Sequence, residues 1–219
     1  LVAQIFPPGA DTWLRLAMIL AAATVVLLLL VGGGIVRSDY MTNRDVVRNQ
    51  PVPFSHEHHV GGLGLDCRYC HTSVEQSATA GFPPTHTCMT CHSQIWTDAP
   101  VLEPVRQSLA KGMPLQWTWV NKLPQFVYFN HSIHVAKGIG CVTCHGRVDT
   151  MPLMRRDQSL LMEWCLACHR DPAPNLRPRE AVYDMTWTPP ADARKLGEQL
   201  VARYHIDVGN LTHCYICHR

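Results

Sequence analysis

The ten cysteines of this chain fall into five pairs spaced Cys-x-x-Cys: Cys67 and Cys70, Cys88 and Cys91, Cys141 and Cys144, Cys165 and Cys168, Cys214 and Cys217. A histidine follows every pair at once: His71, His92, His145, His169 and His218. Histidine makes up only 13 of the 219 residues, so five such placements are a pattern and not an accident of composition. Two thiols three residues apart with an adjoining imidazole are the attachment signature of c-type haem. The thiols bond the two vinyl groups, and the imidazole reaches the iron as its proximal ligand. Zinc ribbons, redox dithiols and disulfide frameworks also use paired cysteines, but none requires a histidine after each pair. The sequence therefore predicts five covalently bound haem c groups.

Each such iron keeps a second axial position. The line "FSHEHHVGGLGLDCRYCH" from Phe54 is nearly repeated as "FNHSIHVAKGIGCVTCH" from Phe129, with one residue fewer before the next cysteine. Phe54, His56, His59 and Val60 recur as Phe129, His131, His134 and Val135. Histidines three apart share one face of a helical turn, so one turn can present imidazoles to two irons. Each copy precedes two attachment motifs, and the count balances: His56, His59, His131 and His134 are the predicted distal ligands. His58 has no counterpart, since Ile133 stands there, and reads as a solvent or propionate contact. His86 and His213 lie too close to their own cysteines to reach the far side of a haem. The fifth motif stands outside the duplication. His205, nine residues before Cys214, is its first candidate ligand; Met151 is the main rival, with Met162 behind it, and a five-coordinate iron is the remaining alternative.

Positioning these groups falls to little chain. Residues 37–219 amount to about 37 residues per motif, too few for a conventional core, so stacked porphyrins must supply much of the buried surface. The expected fold is a multihaem cytochrome c: one N-terminal transmembrane helix, then a haem-packed extracytoplasmic domain of short helices and irregular chain with little sheet. Residues 16–36 carry no charge and as a helix span about 31 Å, enough for a bilayer core of about 30 Å. The run lacks a signal-peptide cleavage pattern, which predicts a retained anchor. Haem attachment takes place outside the cytoplasm, so the expected topology is single-pass in the cell (inner) membrane, with the haem domain on the extracytoplasmic side.

The expected layout is an N-terminal segment and anchor over 1–37, a stalk over 38–53, a first dihaem unit and connector over 54–128, a second dihaem unit over 129–180, and a fifth-haem segment over 181–219. Within it, Asp98 is expected to cap a helix that Gly112 stops, with Val101, Leu102, Val105 and Leu109 on one face. "WTWV" and "FVYF" read as short extended pieces, and "DPAPNLRPREAVYDMTWTPP" as a surface wrap. Leu196, Leu200, Val201 and Tyr204 fall on one helical stripe.

The formal charge of +2 counts amino acids only, and haem propionates would offset it, so the composition does not point to nucleic acid. A multihaem reductase is disfavoured as well. Such enzymes need a substrate-open iron, often with lysine in place of the motif histidine, and all five motifs here end in histidine.

The stretches "QPVPFSHEHHVGGLGLDCRYCHTSVE", "FPPTHTCMTCHSQIW", "FVYFNHSIHVAKGIGCVTCHGRVDTMPLM" and "SLLMEWCLACHR", with the opening "QIFPPGADTW", resemble the pentahaem cytochrome c subunit of alternative complex III. That resemblance implies electron transfer within a membrane quinol-oxidising assembly. It also implies partners: an iron–sulfur subunit, polytopic quinone-binding membrane subunits, a monohaem cytochrome, and a soluble electron acceptor or oxidase. The repeated lines separately resemble small cytochromes of the c3 and c7 type. That likeness implies that His56 serves the haem of His71 and His131 that of His145, leaving the irons of His59 and His134 open. The alternative reading is a stand-alone membrane-anchored multihaem quinol dehydrogenase.

Overall fold

The computed structural model describes residues 5–218; Gln4, in the quoted opening, and Arg219, the last residue of the fifth-haem segment, lie outside the described residues. The chain divides into two units, residues 1–43 and 44–219.

The first unit is dominated by helix α1, Ala10–Arg37, which is long and apolar enough to cross a membrane. Its 28 residues span about 42 Å at 1.5 Å each, so the uncharged stretch can cover a hydrocarbon core with turns to spare. None of its residues is buried by the rest of the chain, and Leu27, Leu28, Leu29 and Leu30 are all exposed. So much apolar surface calls for lipid or an apolar partner around it. Charges sit only at the two ends, where Arg15 pairs with Asp11 and Arg37 reaches back to the Gly33 carbonyl. Ser38 stops the helix: its N–H and its hydroxyl both donate to the Ile35 carbonyl, at 3.0 and 2.6 Å. A short turn α2, Asp39–Thr42, follows and ends on Asn43 in the left-handed region.

The second unit is helical and irregular, with isolated bridges but no strand among the described residues. Residues 44–53, expected to be stalk, are held against the second unit's own chain. Asp45 takes an ion pair from Arg155, and its N–H donates to the Arg156 carbonyl. Gln50 exchanges two 2.9 Å hydrogen bonds with the Thr118 backbone, and Val52 is buried.

Five short helices carry the five cysteine pairs: α3, Cys67–Cys70; α4, Thr85–His92; α7, Cys141–His145; α8, Met162–Arg170; and α10, Cys214–Cys217. Between them come α5, Glu103–Lys111, and α6, His131–Ala136, and then α9, Ala193–Arg203. Helix α5 starts later than the sequence suggested. Asp98 does not cap it; a 3-10 turn over Pro100–Leu102 leads in, and Pro104 in the first turn suits a position with no N–H to donate. Gly112 does end it, with φ of 64°. Only Leu102 and Val105 of the expected apolar face are buried, joining Val52 in a small cluster; Val101 and Leu109 are exposed.

The stripe on α9 holds, since Leu200 and Tyr204 are buried and Leu196 and Val201 pack beside them. Leu176 completes that second cluster, which corrects the reading of the proline-rich segment as surface. Ala173, Leu176, Arg177 and Val182 from it are all buried. "WTWV" and "FVYF" also depart from expectation, being irregular chain without strand pairing. Trp117 and Trp119 instead pack on Phe82, and the Tyr128 N–H donates to the Cys217 carbonyl. Both apolar clusters are small.

Candidate haem centres

In all five motifs the two cysteines occupy one helical turn, where an i, i+3 spacing puts both thiols on the same face. No disulfide joins any two of the ten cysteines. Burial raises the pKa of Cys70 and Cys88; it pushes Cys141 up to about 11 and Cys144 up to about 12.

The duplicated line is duplicated in space. Phe54 stacks on His59 with ring centroids 4.4 Å apart and meets His56 edge-on at 4.9 Å. Phe129 stacks on His134 at 4.5 Å and meets His131 edge-on at 4.7 Å. Each phenylalanine thus braces both histidines of its turn. Ser55 and Asn130 begin the two turns, each with a side-chain oxygen accepting a backbone N–H, from His58 and Ser132. The main-chain carbonyls of Ser55 and Asn130 accept from His59 Nδ1 at 2.8 Å and His134 Nδ1 at 2.7 Å.

The extra residue of the first copy is absorbed by a single π-helical turn, Glu57–Gly62, where the second copy has α-helix α6. After it the copies return to register. The N–H two residues before the first cysteine donates to the second histidine's carbonyl in both, Leu65 to His59 and Ile139 to His134. Gly64 and Gly138, three before that cysteine, both have positive φ, at 67° and 78°. A left-handed turn suits glycine there, and at Gly138 a Cβ would also strike Tyr204.

Three distal candidates face a motif histidine. Ring centroids are 6.2 Å apart for His59 and His92, 6.3 Å for His131 and His145, and 6.2 Å for His134 and His169. Two imidazoles each bonding a metal through nitrogen at about 2 Å, with ring centres about 1 Å beyond, have centroids roughly 6 Å apart. The spacing therefore fits one iron between each pair. His56 lies near His71: burial brings its pKa down to about 4, and the charge of His71 adds to the effect. Its Nδ1 is buried without a hydrogen-bond partner.

A ligating histidine ordinarily donates its other ring N–H to a carbonyl, which fixes the tautomer that leaves Nε2 for the metal. His59, His131 and His134 do so through Ser55, Ala78 and Asn130. Four motif histidines do so through Gly81 for His71, Ile95 for His92, Leu211 for His169 and Phe126 for His218. His145 instead meets the Asn121 side chain, a residue that nothing in the sequence pattern singled out.

The remaining candidates lie apart. His58 is exposed and touches only the edge of His59 among the rings. His205 is exposed with φ of 50°, Met151 is buried and its carbonyl accepts from the Glu57 N–H, and Met162 is exposed. Among the described residues neither His205 nor Met151 makes a ring or hydrogen-bond contact with His218.

The five motifs do not follow one another in space as they do in sequence. Beyond burial, Cys88 raises the pKa of Cys70, Cys67 raises that of Cys141, Cys168 and Cys165 raise that of Cys144, and Cys217 raises that of Cys165. These neighbours suit the order second, first, third, fourth, fifth. Hydrogen bonds agree: the His131 and Ser132 N–H groups donate to Ala78 and Ser77, between the first and second motifs, and His169 donates to Leu211, just before the fifth.

A family model described as cytochrome c7 and related cytochrome c matches residues 127–219, which hold the third, fourth and fifth motifs. Over 127 residues, 58% of this chain, the sequence is 32% identical to the protein named "Menaquinone reductase, multiheme cytochrome c subunit" from Nitratidesulfovibrio vulgaris strain Hildenborough. The chain spans about half the length of that relative, 54%. Over residues 127–219 the architecture is cytochrome c7-like; the chain as a whole is helical and irregular with one N-terminal apolar helix that could span a membrane, and covalent haem c is the cofactor its motifs imply.

Proposed function

We propose that the chain is a pentahaem electron-transfer subunit, anchored by α1, of a membrane quinol-oxidising assembly of the alternative complex III kind. The observation that carries the haem-site part of this reading is the set of three facing imidazole pairs at 6.2–6.3 Å. The assembly rests on the resemblance of the motif-bearing stretches and on the menaquinone reductase relative. Haem c at the five motifs would supply one-electron chemistry, tuned over about 0.8 V by ligands and burial. The cysteine pairs hold the macrocycles, and His71, His92, His145, His169 and His218 are the proximal ligands. His59 is the distal partner of His92, His131 of His145 and His134 of His169. His56 serves His71, and His205 or Met151 remains to serve the fifth site.

This arrangement fits a carrier and not a catalyst. The four sites paired with a distal histidine offer a substrate no open iron, and a single apolar helix encloses no quinone. The row of five sites has two ends, the second motif and the fifth, where partners would meet the chain. Those partners are an iron–sulfur subunit, polytopic quinone-binding subunits and a monohaem cytochrome, with a soluble acceptor or oxidase beyond. The motif-bearing unit lies on the extracytoplasmic side, where haem c is attached.

The test is to add a menaquinol analogue to the isolated subunit and to the detergent-purified assembly, following haem reduction optically. Fast reduction in the assembly and very slow reduction in the isolated subunit are expected. Equal rates would make the chain a quinol dehydrogenase by itself. The name of the relative favours a second direction, in which electrons pass towards menaquinone. Haem oxidation by a menaquinone analogue in the assembly, without reduction by the menaquinol, would select that direction.

A further inference from the structure

Asn121 lies in the irregular stretch between α5 and the second repeat, and its amide lies against the ring of His145, with Nδ2 3.0 Å from Nδ1. Its Oδ1 is buried with no hydrogen-bond partner. Written that way the contact is poor on both sides. A donating Nδ2 needs an Nδ1 stripped of its proton, which puts the proton on Nε2, and it leaves a buried carbonyl oxygen unsatisfied. The two ends of a side-chain amide are assigned from their hydrogen-bonding surroundings, and a buried Oδ1 that no donor faces marks one to be exchanged. Rotated by half a turn, Oδ1 accepts from Nδ1–H. His145 then matches seven of the eight other motif and repeat histidines, whose Nδ1 atoms lie on carbonyl oxygens; His56, with a buried Nδ1 and no partner, is the exception.

We propose that Asn121 is a positioning residue for the third site: its side-chain carbonyl holds the His145 ring, fixes its tautomer and sets how strongly the imidazole donates to the iron. The proposal rests on the reading of motif three as a haem site. The other four motif histidines lean on main-chain oxygens, which substitution does not remove. At His145 the same task is given to a side chain, so the third site has a lever the others lack. The site is also the middle one of the five. The nearly parallel setting of His145 and His131, with 9° between their planes against 64° and 33° in the other two pairs, is the orientation this hydrogen bond would hold.

Two variants of the full haem-loaded chain test the proposal with opposite signs. Asn121→Leu keeps the volume and removes the acceptor, so the ring donates less and the oxidised iron is less favoured. Asn121→Asp offers a charged acceptor, so the ring donates more. In optical redox titrations one midpoint potential is expected to rise in Asn121→Leu and the same one to fall in Asn121→Asp. The other potentials should hold, and the low-spin spectrum should persist. A change confined to one low-spin EPR signal in Asn121→Leu would follow from release of the ring plane.

A merely structural asparagine would shift the potential in the same direction in both variants or leave it unmoved, and either result overturns the proposal. If Asn121→Leu fails to mature, the sign in Asn121→Asp decides. Covalent haem counted by mass in the wild-type chain separates the two levels. No haem on Cys141 and Cys144 would sink the site reading and this proposal together. A full complement with unmoved potentials would sink this proposal alone.

Discussion

Replacing His131 and His134 separately by alanine is expected to strip the low-spin signature from two different haems, those of the third and fourth motifs. The two side chains share one turn of α6 and one brace, Phe129, yet they face different motif histidines, His145 at 6.3 Å and His169 at 6.2 Å. Each variant should show one haem converted to high-spin or water ligation by EPR and optical spectra. Every covalent haem should remain, since attachment depends on the cysteines. The haem altered by His131→Ala should be the one whose potential Asn121 variants move, and the haem altered by His134→Ala should be another. His58→Ala is the control and is expected to be silent, because that ring is exposed and faces no motif histidine. Two variants acting on the same haem, or on none, would remove the reason offered for the repeat.

The second large effect is expected from Cys141→Ala combined with Cys144→Ala. In sequence the third motif is merely central; in the proposed spatial order it would be the joint between two halves. Cys70 feels the charge of Cys88 and Cys165 that of Cys217, while Cys141 feels Cys67 of the first motif and Cys144 feels Cys165 and Cys168 of the fourth. Loss of haem there should leave the remaining four attached and reducible by a small-molecule reductant. Electron passage from one partner to the other, followed by stopped-flow reduction in the assembled complex, should nevertheless collapse. The matching double substitution at Cys88 and Cys91 removes an end of the row, so it should abolish exchange with one partner only. Similar throughput with and without the third haem would mean that the order of sites is not the order of transfer.

Much of the site was legible because covalent attachment leaves a local signature. Two thiols and an imidazole must sit within five residues, so spacing alone exposes all five motifs. The repeat was legible for the same reason, as one turn must hold both imidazoles and their brace. What each second histidine faces was not legible. His59 and His134 meet His92 and His169, 33 and 35 residues further along, and which ring arrives is decided by how whole segments pack.

The same limit hid the spatial order of the motifs, which depends on contacts such as Ser132 with Ser77. Composition misled in the proline-rich segment. Proline favours exposed chain on average, but two 3-10 turns there place Leu176 and Val182 inward. "WTWV" and "FVYF" have strand-like composition but no partner strand, and a lone extended piece gains its order from aromatic packing instead. Asn121 carried no signal at all, because one polar residue in "WVNKLP" belongs to no period or motif. Its role is visible only as a buried amide against a buried ring.

The most direct test of the whole account is an experimental density map of the haem-loaded chain in its membrane assembly, read for iron positions and axial ligands. The account predicts irons in the order of motifs two, one, three, four and five, with His59 across the iron from His92, His131 from His145 and His134 from His169. Irons following the sequence order, or His59 and His134 bound to the irons of His71 and His145, would contradict it.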